Sequence, residues 1–364
     1  MITELHATGY GCLKDVRVKL GGLHALIGPN DSGKSTILRA LRTLGQLASG
    51  SFERRGTTWA PFDPGLDADE PGSHVTLRAQ TPDGSYIFER RVGGGVSALG
   101  KAVTSEERVE DLEIQQRAPR LITSPSVFEG SPPGFDATAL WLTLSGIHFL
   151  GLSEEGLRSP SGFLPRGRTQ LSARGEGLPG LYFALRNDHE EAFERILQDV
   201  RTLFPTVKTV RAQPSSSSEL EIEVELTDRT RVRAAHISTG LLYYLAFAAL
   251  PEAFGPVSTV LLEEPENGLH PARIKQVMAV LRAFTEKHGA QVILTTHSPL
   301  VVNELEPKEV SVVTRPTLET GTQVRAITET ANFAKRSEVY SLGELWLSYA
   351  DGNVEEALFD PKVR

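Results

Sequence analysis

The chain is 364 residues long, 40% hydrophobic and 23% charged, with a formal charge of −8 at pH 7. That length fits two or three domains, or one large α/β unit with an insertion; the composition excludes wholesale disorder, and the charge excludes a globally basic nucleic-acid binder. A single cysteine, Cys12, excludes an intrachain disulfide and a cysteine-based zinc cluster.

In chain order, Ile2 to His6 and Val16 to Leu20 predict short strands. Leu23 to Ile27 is a compact apolar strand that runs into a glycine-rich turn. Ser35 to Leu47 carries Ile37, Leu38, Leu41, Leu44 and Leu47 at helical spacing. Ser49 to Gly72 is rich in Gly, Pro and Asp and reads as a loop. Val75 to Ala79 and Tyr86 to Val92 flank Pro82-Asp83-Gly84, which predicts a hairpin. Gly93 to Arg174 is punctuated by proline and glycine and predicts loops with one or two helices. Leu178 to Phe204 reads as one helix, followed by strands at Val207 to Val210, Leu220 to Leu226 and Arg231 to Ala234. Leu241 to Leu250 predicts a buried helix. Val257 to Leu262 and Gln291 to Leu294 predict buried parallel strands around an amphipathic helix from Ala272 to Lys287. Val310 to Thr314 and Thr322 to Ile327 are the last strand candidates. No apolar run reaches the ~18 residues of a membrane span. The first residues lack a leader pattern. The expectation is a soluble, cytoplasmic protein.

Three segments carry chemistry. Gly28-Pro29-Asn30-Asp31-Ser32-Gly33-Lys34-Ser35 fits the P-loop pattern and lies between a strand and a helix, the context it requires. Glycines let backbone N–H groups curl around phosphate oxygens, and the helix N-terminus adds partial positive charge. Lys34 suits the β- and γ-phosphates, and the Ser35 hydroxyl suits Mg²⁺. Second, Val260-Leu261-Leu262-Glu263-Glu264 is an apolar strand ending in two carboxylates. Alone such a pair is ordinary surface. Downstream of a P-loop, Glu263 becomes a candidate Mg²⁺ ligand and Glu264 a candidate general base, and alternation along a strand would aim them to opposite sides. Third, His297 follows Thr295-Thr296 at the end of another apolar strand, where an imidazole can bond a γ-phosphate.

Together these segments resemble the ABC-type ATPase head shared by SMC proteins, RecF and the OLD family, above all the OLD-like branch labelled AAA_21. Its habits are present as Gly28 to Thr36, as Leu261 to Pro271 (LLEEPENGLHP) and as Thr295 to Pro299 (TTHSP). The resemblance covers about 1–95 and 175–330. It implies an α/β P-loop NTPase fold of ABC type, with a mixed central sheet, an antiparallel β subdomain and a helical lobe insertion. The implied segments are 1–95 and 206–330 for the two halves of the head, 96–205 for the lobe and 331–364 for a helical tail. ATP and Mg²⁺ are the implied ligands. Gly28, Pro29, Asn30, Asp31, Ser32, Gly33, Lys34, Ser35 and Thr36 are expected to bind nucleotide, Ser35 and Glu263 the metal, with Glu264, His297 and Lys34 catalytic. A signature loop is expected at Ile237-Ser238-Thr239-Gly240-Leu241, where Ser238 and Gly240 would meet ATP held by a second copy. Taken alone, the segment reads first as a plain N-cap, with Ser238 or Thr239 capping the helix. A Q-loop glutamine is not assigned among Gln80, Gln115 and Gln116. OLD nucleases carry a TOPRIM domain that needs an Asp-x-Asp pair, and here the only such pair is Asp67-Ala68-Asp69, read as solvated surface.

The expectation is therefore an ATPase that dimerises around ATP and drives or gates a DNA-processing or antiviral-defence complex through a separate effector, such as a TOPRIM-like nuclease. DNA contact would fall on Arg54-Arg55, Arg90-Arg91, Arg166, Arg168 and Arg174. A nucleotide-gated scaffold with little turnover is the second reading and a transporter ATPase subunit the third.

Overall fold

The computed structural model describes residues 1–49, 53–55, 58–60, 74–82, 84–92, 96–103, 137–163, 171–254, 259–330 and 333–350. The chain begins with β1 (Glu4–Tyr10), β2 (Leu13–Lys19), β3 (Leu23–Ile27) and α1 (Lys34–Ser49). Next come β4 (Glu53–Arg55), β5 (Thr58–Ala60), β6 (His74–Thr81), β7 (Gly84–Val92), β8 (Val96–Val103), α2 (Ala137–Ser145) and β9 (Ile147–Leu150). The middle of the chain forms α3 (Glu154–Arg158), β10 (Ser161–Gly162), α4 (Leu178–Asp188), α5 (Glu190–Leu203), β11 (Val207–Pro214), β12 (Glu219–Leu226) and β13 (Arg231–Arg233). It continues through α6 (Thr239–Ala248), α7 (Leu250–Ala253), β14 (Thr259–Glu263) and α8 (Pro271–His288). The last elements are β15 (Gln291–Thr296), α9 (Pro299–Val302), β16 (Val310–Thr314), β17 (Gln323–Ala326), α10 (Phe333–Ser337) and α11 (Leu342–Ala350). Two compact units result: unit 1 is Met1–His148, Val257–Leu261 and Ala290–Arg364, and unit 2 is Phe149–Pro256 and Leu262–Gly289. Residues 206–330, read above as half of a head, contribute to both.

Unit 1 holds β17, β16, β3 and β15 of a mixed sheet of order β17-β16-β3-β15-β14-β9, together with residues 259–261 of β14 and 147–148 of β9. β3 is parallel to both β15 and β16, and β17 runs antiparallel to β16. Every residue of β3 and β15 is buried, which explains why both read as continuous apolar runs. Gln291 ties the chain start to this sheet. Its Oε1 accepts from the Ile2 N–H at 3.0 Å, and its Nε2 donates to the carbonyls of Ile2 and Gly21 at 2.7 and 2.8 Å. A second, antiparallel sheet has the order β2-β1-β6-β7-β8. The predicted hairpin is present, with Thr81 paired to Gly84, and β8 adds a strand inside the stretch read as loops. The helix α1 buries Ile37, Leu38, Ala40, Leu41, Leu44 and Ala48, one face of a 3.6-residue period.

Unit 2 packs α4 and α5 on an antiparallel sheet of order β10-β12-β11, with β13 on β12. The helix predicted from Leu178 to Phe204 is two helices. They meet at His189, whose φ and ψ of −138° and 54° are not helical. Along β12, Glu221, Glu223 and Glu225 form cross-strand ion pairs with Arg233, Arg231, and Lys208 and Arg211. The residues from Leu241 to Ala248 are all buried, so α6 is apolar all round, and Tyr182 donates to the Leu245 carbonyl at 3.0 Å.

Candidate nucleotide site

Parallel pairing places Thr296 of β15 opposite Ile27 of β3, so the P-loop and His297 leave adjacent strands at the same end of the unit 1 sheet. Strand ends of this kind are where open α/β sheets bind ligands. The loop itself is tightly constrained. A Cβ on Gly28 would lie 2.0 Å from the Val313 carbonyl oxygen, and one on Gly33 would lie 2.2 Å from Thr322 Oγ1. Gly33 has φ +105° and Asp31 has φ +62°. Left-handed backbone is routine for glycine and tolerated by aspartate, so both suit a loop that turns its N–H groups inward.

Lys34 is buried, and its Nζ donates to the carbonyls of Gly28 and Pro29 at 2.9 and 2.7 Å. Its ammonium thus sits across the loop. The first turn of α1 contains no acidic residue, so the partial positive charge of the helix start is not offset from within the turn. Ser32 is buried, and its Oγ has no hydrogen-bond partner. A buried, unsatisfied hydroxyl beside a lysine and a helix N-terminus fits an anionic ligand such as a polyphosphate. Ser35 and Thr36 are half-buried in the first turn, while Pro29, Asn30 and Asp31 are exposed. Arg315 Nη1 lies 3.5 Å from Asp31 Oδ2, a surface pair that holds the loop's tip lightly.

His297 is half-buried after β15. Its carbonyl accepts from Trp346 Nε1 of α11 at 3.3 Å. Ser298 donates its N–H to Thr296 Oγ1 at 2.9 Å, fixing the turn that follows.

Unit 2 carries Glu263, Glu264 and the segment expected to be a signature loop. Glu263 is the last residue of β14 and is half-buried. Glu264 is off the strand, so the strand alternation expected for the pair does not apply to it. Its φ is +46°, a left-handed conformation in which a glutamate is strained. A turn holds it there. Asn267 donates its N–H to the Glu264 carbonyl at 2.9 Å and its Nδ2 to Glu264 Oε2 at 2.8 Å. Gly268 follows with φ +78°, and His270 Nδ1 caps α8 by accepting from the Ala272 N–H at 3.2 Å.

Ser238 occupies the N-cap position of α6 but is exposed, and its hydroxyl makes no capping bond. The N-cap role therefore falls to its backbone. Arg158 of α3 donates to the Ala234 carbonyl and lies 3.5 Å from Thr239 Oγ1, bracing the chain on both sides of Ser238. A Cβ on Gly240 would lie 3.7 Å from the Gly268 carbonyl, so the start of α6 packs on the turn after Glu264.

Sequence reasoning missed Asn267, Thr322 and Arg315. Asn267 sits in a legible turn dipeptide, Asn-Gly, whereas Thr322 and Arg315 carry no local signal. Gln80 belongs to the antiparallel sheet, where it accepts from Arg78 Nη2 at 3.4 Å and from the Ser85 hydroxyl. Gln115, Gln116, Asp67-Ala68-Asp69, Arg166 and Arg168 lie outside the described residues. Arg174 is paired with Glu155 at 2.9 Å on the surface. The side chains of Arg54, Arg55, Arg90 and Arg91 are likewise not among those described. No helix among the described residues is long and apolar enough to cross a membrane.

Comparison with known proteins finds ATPase families. The family described as "AAA domain, putative AbiEii toxin, Type IV TA system" matches residues 161–303, and the family described as "AAA ATPase domain" matches residues 1–76. The OLD nuclease of Thermus scotoductus is 26% identical over 345 residues, covering 84% of this chain and 61% of that protein. The chain therefore spans about three fifths of the nuclease's length. The zinc transport system ATP-binding protein TroB of Treponema pallidum is 42% identical over 101 residues, 25% of this chain and 38% of TroB. Among solved structures, an SMC head bound to the C-winged helix domain of ScpA superposes with a TM-score of 0.54 at 17% identity, covering 89% of this chain and 96% of that one. That likeness is one of fold.

Proposed function

We propose that this chain, an ABC-type ATPase of the OLD- and SMC-like group, binds ATP at Gly28 to Thr36 and hydrolyses it with Glu264 as general base. The observation that carries the reading is the P-loop of unit 1, with its buried Lys34, unsatisfied Ser32 hydroxyl and neighbouring His297. Lys34 and the N–H groups at the start of α1 take up the charge of the β- and γ-phosphates. Ser35 and Glu263 offer a hydroxyl and a carboxylate, oxygen donors suited to Mg²⁺. When bound, that ion neutralises phosphate charge as the β–γ bridge breaks. Glu264 accepts the proton of a water whose oxygen bonds to the γ-phosphorus while the bond to the leaving ADP oxygen breaks. The Asn267 amide fixes this carboxylate, and His297 hydrogen-bonds the γ-phosphate.

The exposed Ser238, with Gly240 beside it at the start of α6, completes the ATP site of a second copy, so two chains close head to tail on two nucleotides. Closing and opening then gates a separate effector, a TOPRIM-like nuclease or another protein, in a DNA-processing or defence complex. The exposed Ser238, with no capping bond, supports a role outside its own helix. The test is the mass of Glu264→Gln in solution, with and without ATP and Mg²⁺. The variant is expected to bind ATP, shift to a dimer or a more compact dimer, and lose turnover. Wild-type turnover would refute Glu264 as the base. Bound nucleotide with no change in mass or shape would remove the role of Ser238 and Gly240 on a second copy.

A further inference from the structure

We infer that Thr322 is a positioning residue for the P-loop: its hydroxyl locks the Ser32–Gly33 peptide in the orientation that presents the Gly33 N–H to phosphate. The inference rests on the P-loop being the ATP site.

Two turns of unit 1 meet behind the loop. Thr322, just before β17, is 2% exposed. Its Oγ1 donates to the Ser32 carbonyl at 2.8 Å, and its N–H donates to the Cys12 carbonyl at 2.9 Å in the turn between β1 and β2. The hydroxyl has one proton, and the carbonyl is nearer and a stronger acceptor than the Cys12 sulfur at 3.2 Å. Cys12 is left to donate to a threonine oxygen, that of Thr322 or that of Thr36 at 3.4 Å. Gly321, with φ +68°, closes the corner; a Cβ there would lie 2.7 Å from the Cys12 carbonyl oxygen.

The peptide plane turns this tether into a statement about phosphate. In a trans peptide the carbonyl and the next N–H point in opposite directions. Fixing the Ser32 carbonyl on Thr322 therefore aims the Gly33 N–H away from Thr322, and among the described residues that N–H makes no hydrogen bond. Gly33 needs φ +105°, which only glycine holds cheaply, but a glycine also leaves its preceding peptide free to flip. A flip would turn the N–H away from the ligand and strip the Ser32 carbonyl of its partner. The hydroxyl that fills the space where a residue-33 Cβ would sit is the same group that opposes the flip.

Thr322→Val keeps the shape and removes the hydroxyl. Titration of the full chain with ATP–Mg²⁺ and with inorganic tripolyphosphate should show both bound about tenfold more weakly, the fold-change expected for one buried hydrogen bond. Turnover at saturating ATP should stay within about twofold, and Thr322→Ser should restore both affinities. Thr322→Ala serves as a second variant with the same expected loss should valine fail to fold beside Cys12. Unchanged affinity in the folded variants, a loss for ATP without one for tripolyphosphate, or a serine that does not rescue would each overturn the inference. Lys34→Ala run alongside separates the failures. If it binds ATP as tightly as the wild type, the P-loop is not the site, and the reading beneath the inference falls with it.

Discussion

The two units present their share of the chemistry in opposite ways. In unit 1 the P-loop is locked from behind. Gly28 abuts the Val313 carbonyl, Gly33 abuts Thr322, and Lys34 is held by two carbonyls of its own loop. In unit 2 the Ser238–Gly240 segment is looser: Ser238 is exposed, and a Gly240 Cβ would make only ordinary contact, 3.7 Å from the Gly268 carbonyl oxygen. A site that must grip polyphosphate within one chain gains from being built before the ligand arrives. On the proposed reading, the Ser238 surface meets a second chain and needs space in front of it. The Glu264 turn lies between these extremes, strained in its backbone and tied by Asn267.

The contrast is broken most sharply at Gly28. A Cβ there would meet backbone rather than a flexible side chain, so neither β3 nor β16 can yield cheaply. Gly28→Ala should cost about 3 kcal/mol of stability and abolish ATP binding, as read by thermal melting and nucleotide titration. A folded variant with normal affinity would show that the loop is not locked as described.

Unit 1 is also where acid should act first. His24, the second residue of β3, has its pKa lowered to about 4 by burial, partly opposed by Glu309, and its Nε2 lies 3.0 Å from Ser311 Oγ. In the unfolded chain the imidazole titrates near 6.5. Between these values the unfolded chain binds more protons, so acid favours unfolding. Stability is fully present above about pH 6.5 and is lost as the pH falls toward 4, by about 3 kcal/mol across the window. His24→Gln, which cannot titrate and can still bond Ser311, should flatten the fall in melting temperature between pH 7 and pH 5. An unchanged slope would mean that other groups carry it.

In unit 2 the turn after Glu264 has its own tight position, Gly268. Its φ of +78° is costly for an L-residue, and a Cβ would lie 2.8 Å from the Tyr243 ring. Gly268→Ala should destabilise by about 2 kcal/mol. It should also lower turnover more than ATP binding, because it disturbs the turn that holds Glu264 and leaves the P-loop sequence untouched. Equal losses in both would argue that the turn and the loop respond as one.

What the sequence discloses follows this division. The P-loop was legible because strand, glycine turn and helix are contiguous, and the carboxylates because an apolar strand delivers them. Strand alternation misplaced Glu264, since nothing local announces a left-handed glutamate. The break at His189 was hidden because apolar residues keep helical spacing from Leu178 through Leu197 and Val200, across both α4 and α5. Thr322 acts on a loop 290 residues away in sequence, a contact that no window of the chain contains. His24 read as one more residue of an apolar strand, and its burial is a tertiary fact.

The smallest expected effect on folding is the most informative about assembly. Gly240 lies in the first turn of α6, its φ is not in the left-handed region, and a Cβ would make ordinary contact with the Gly268 carbonyl. Gly240→Ala should therefore leave stability within about 1 kcal/mol, on the favourable side, since alanine is the better helix former. ATP affinity at the chain's own P-loop should also be unchanged. If Gly240 lets a second chain's phosphate approach the helix start, the added methyl should still block ATP-dependent dimerisation and with it turnover. Sedimentation of Gly240→Ala with ATP and Mg²⁺ reads this directly. A dimer with wild-type turnover would mean that the openness of unit 2 serves some other contact, because the methyl would then occupy space that no partner's nucleotide needs.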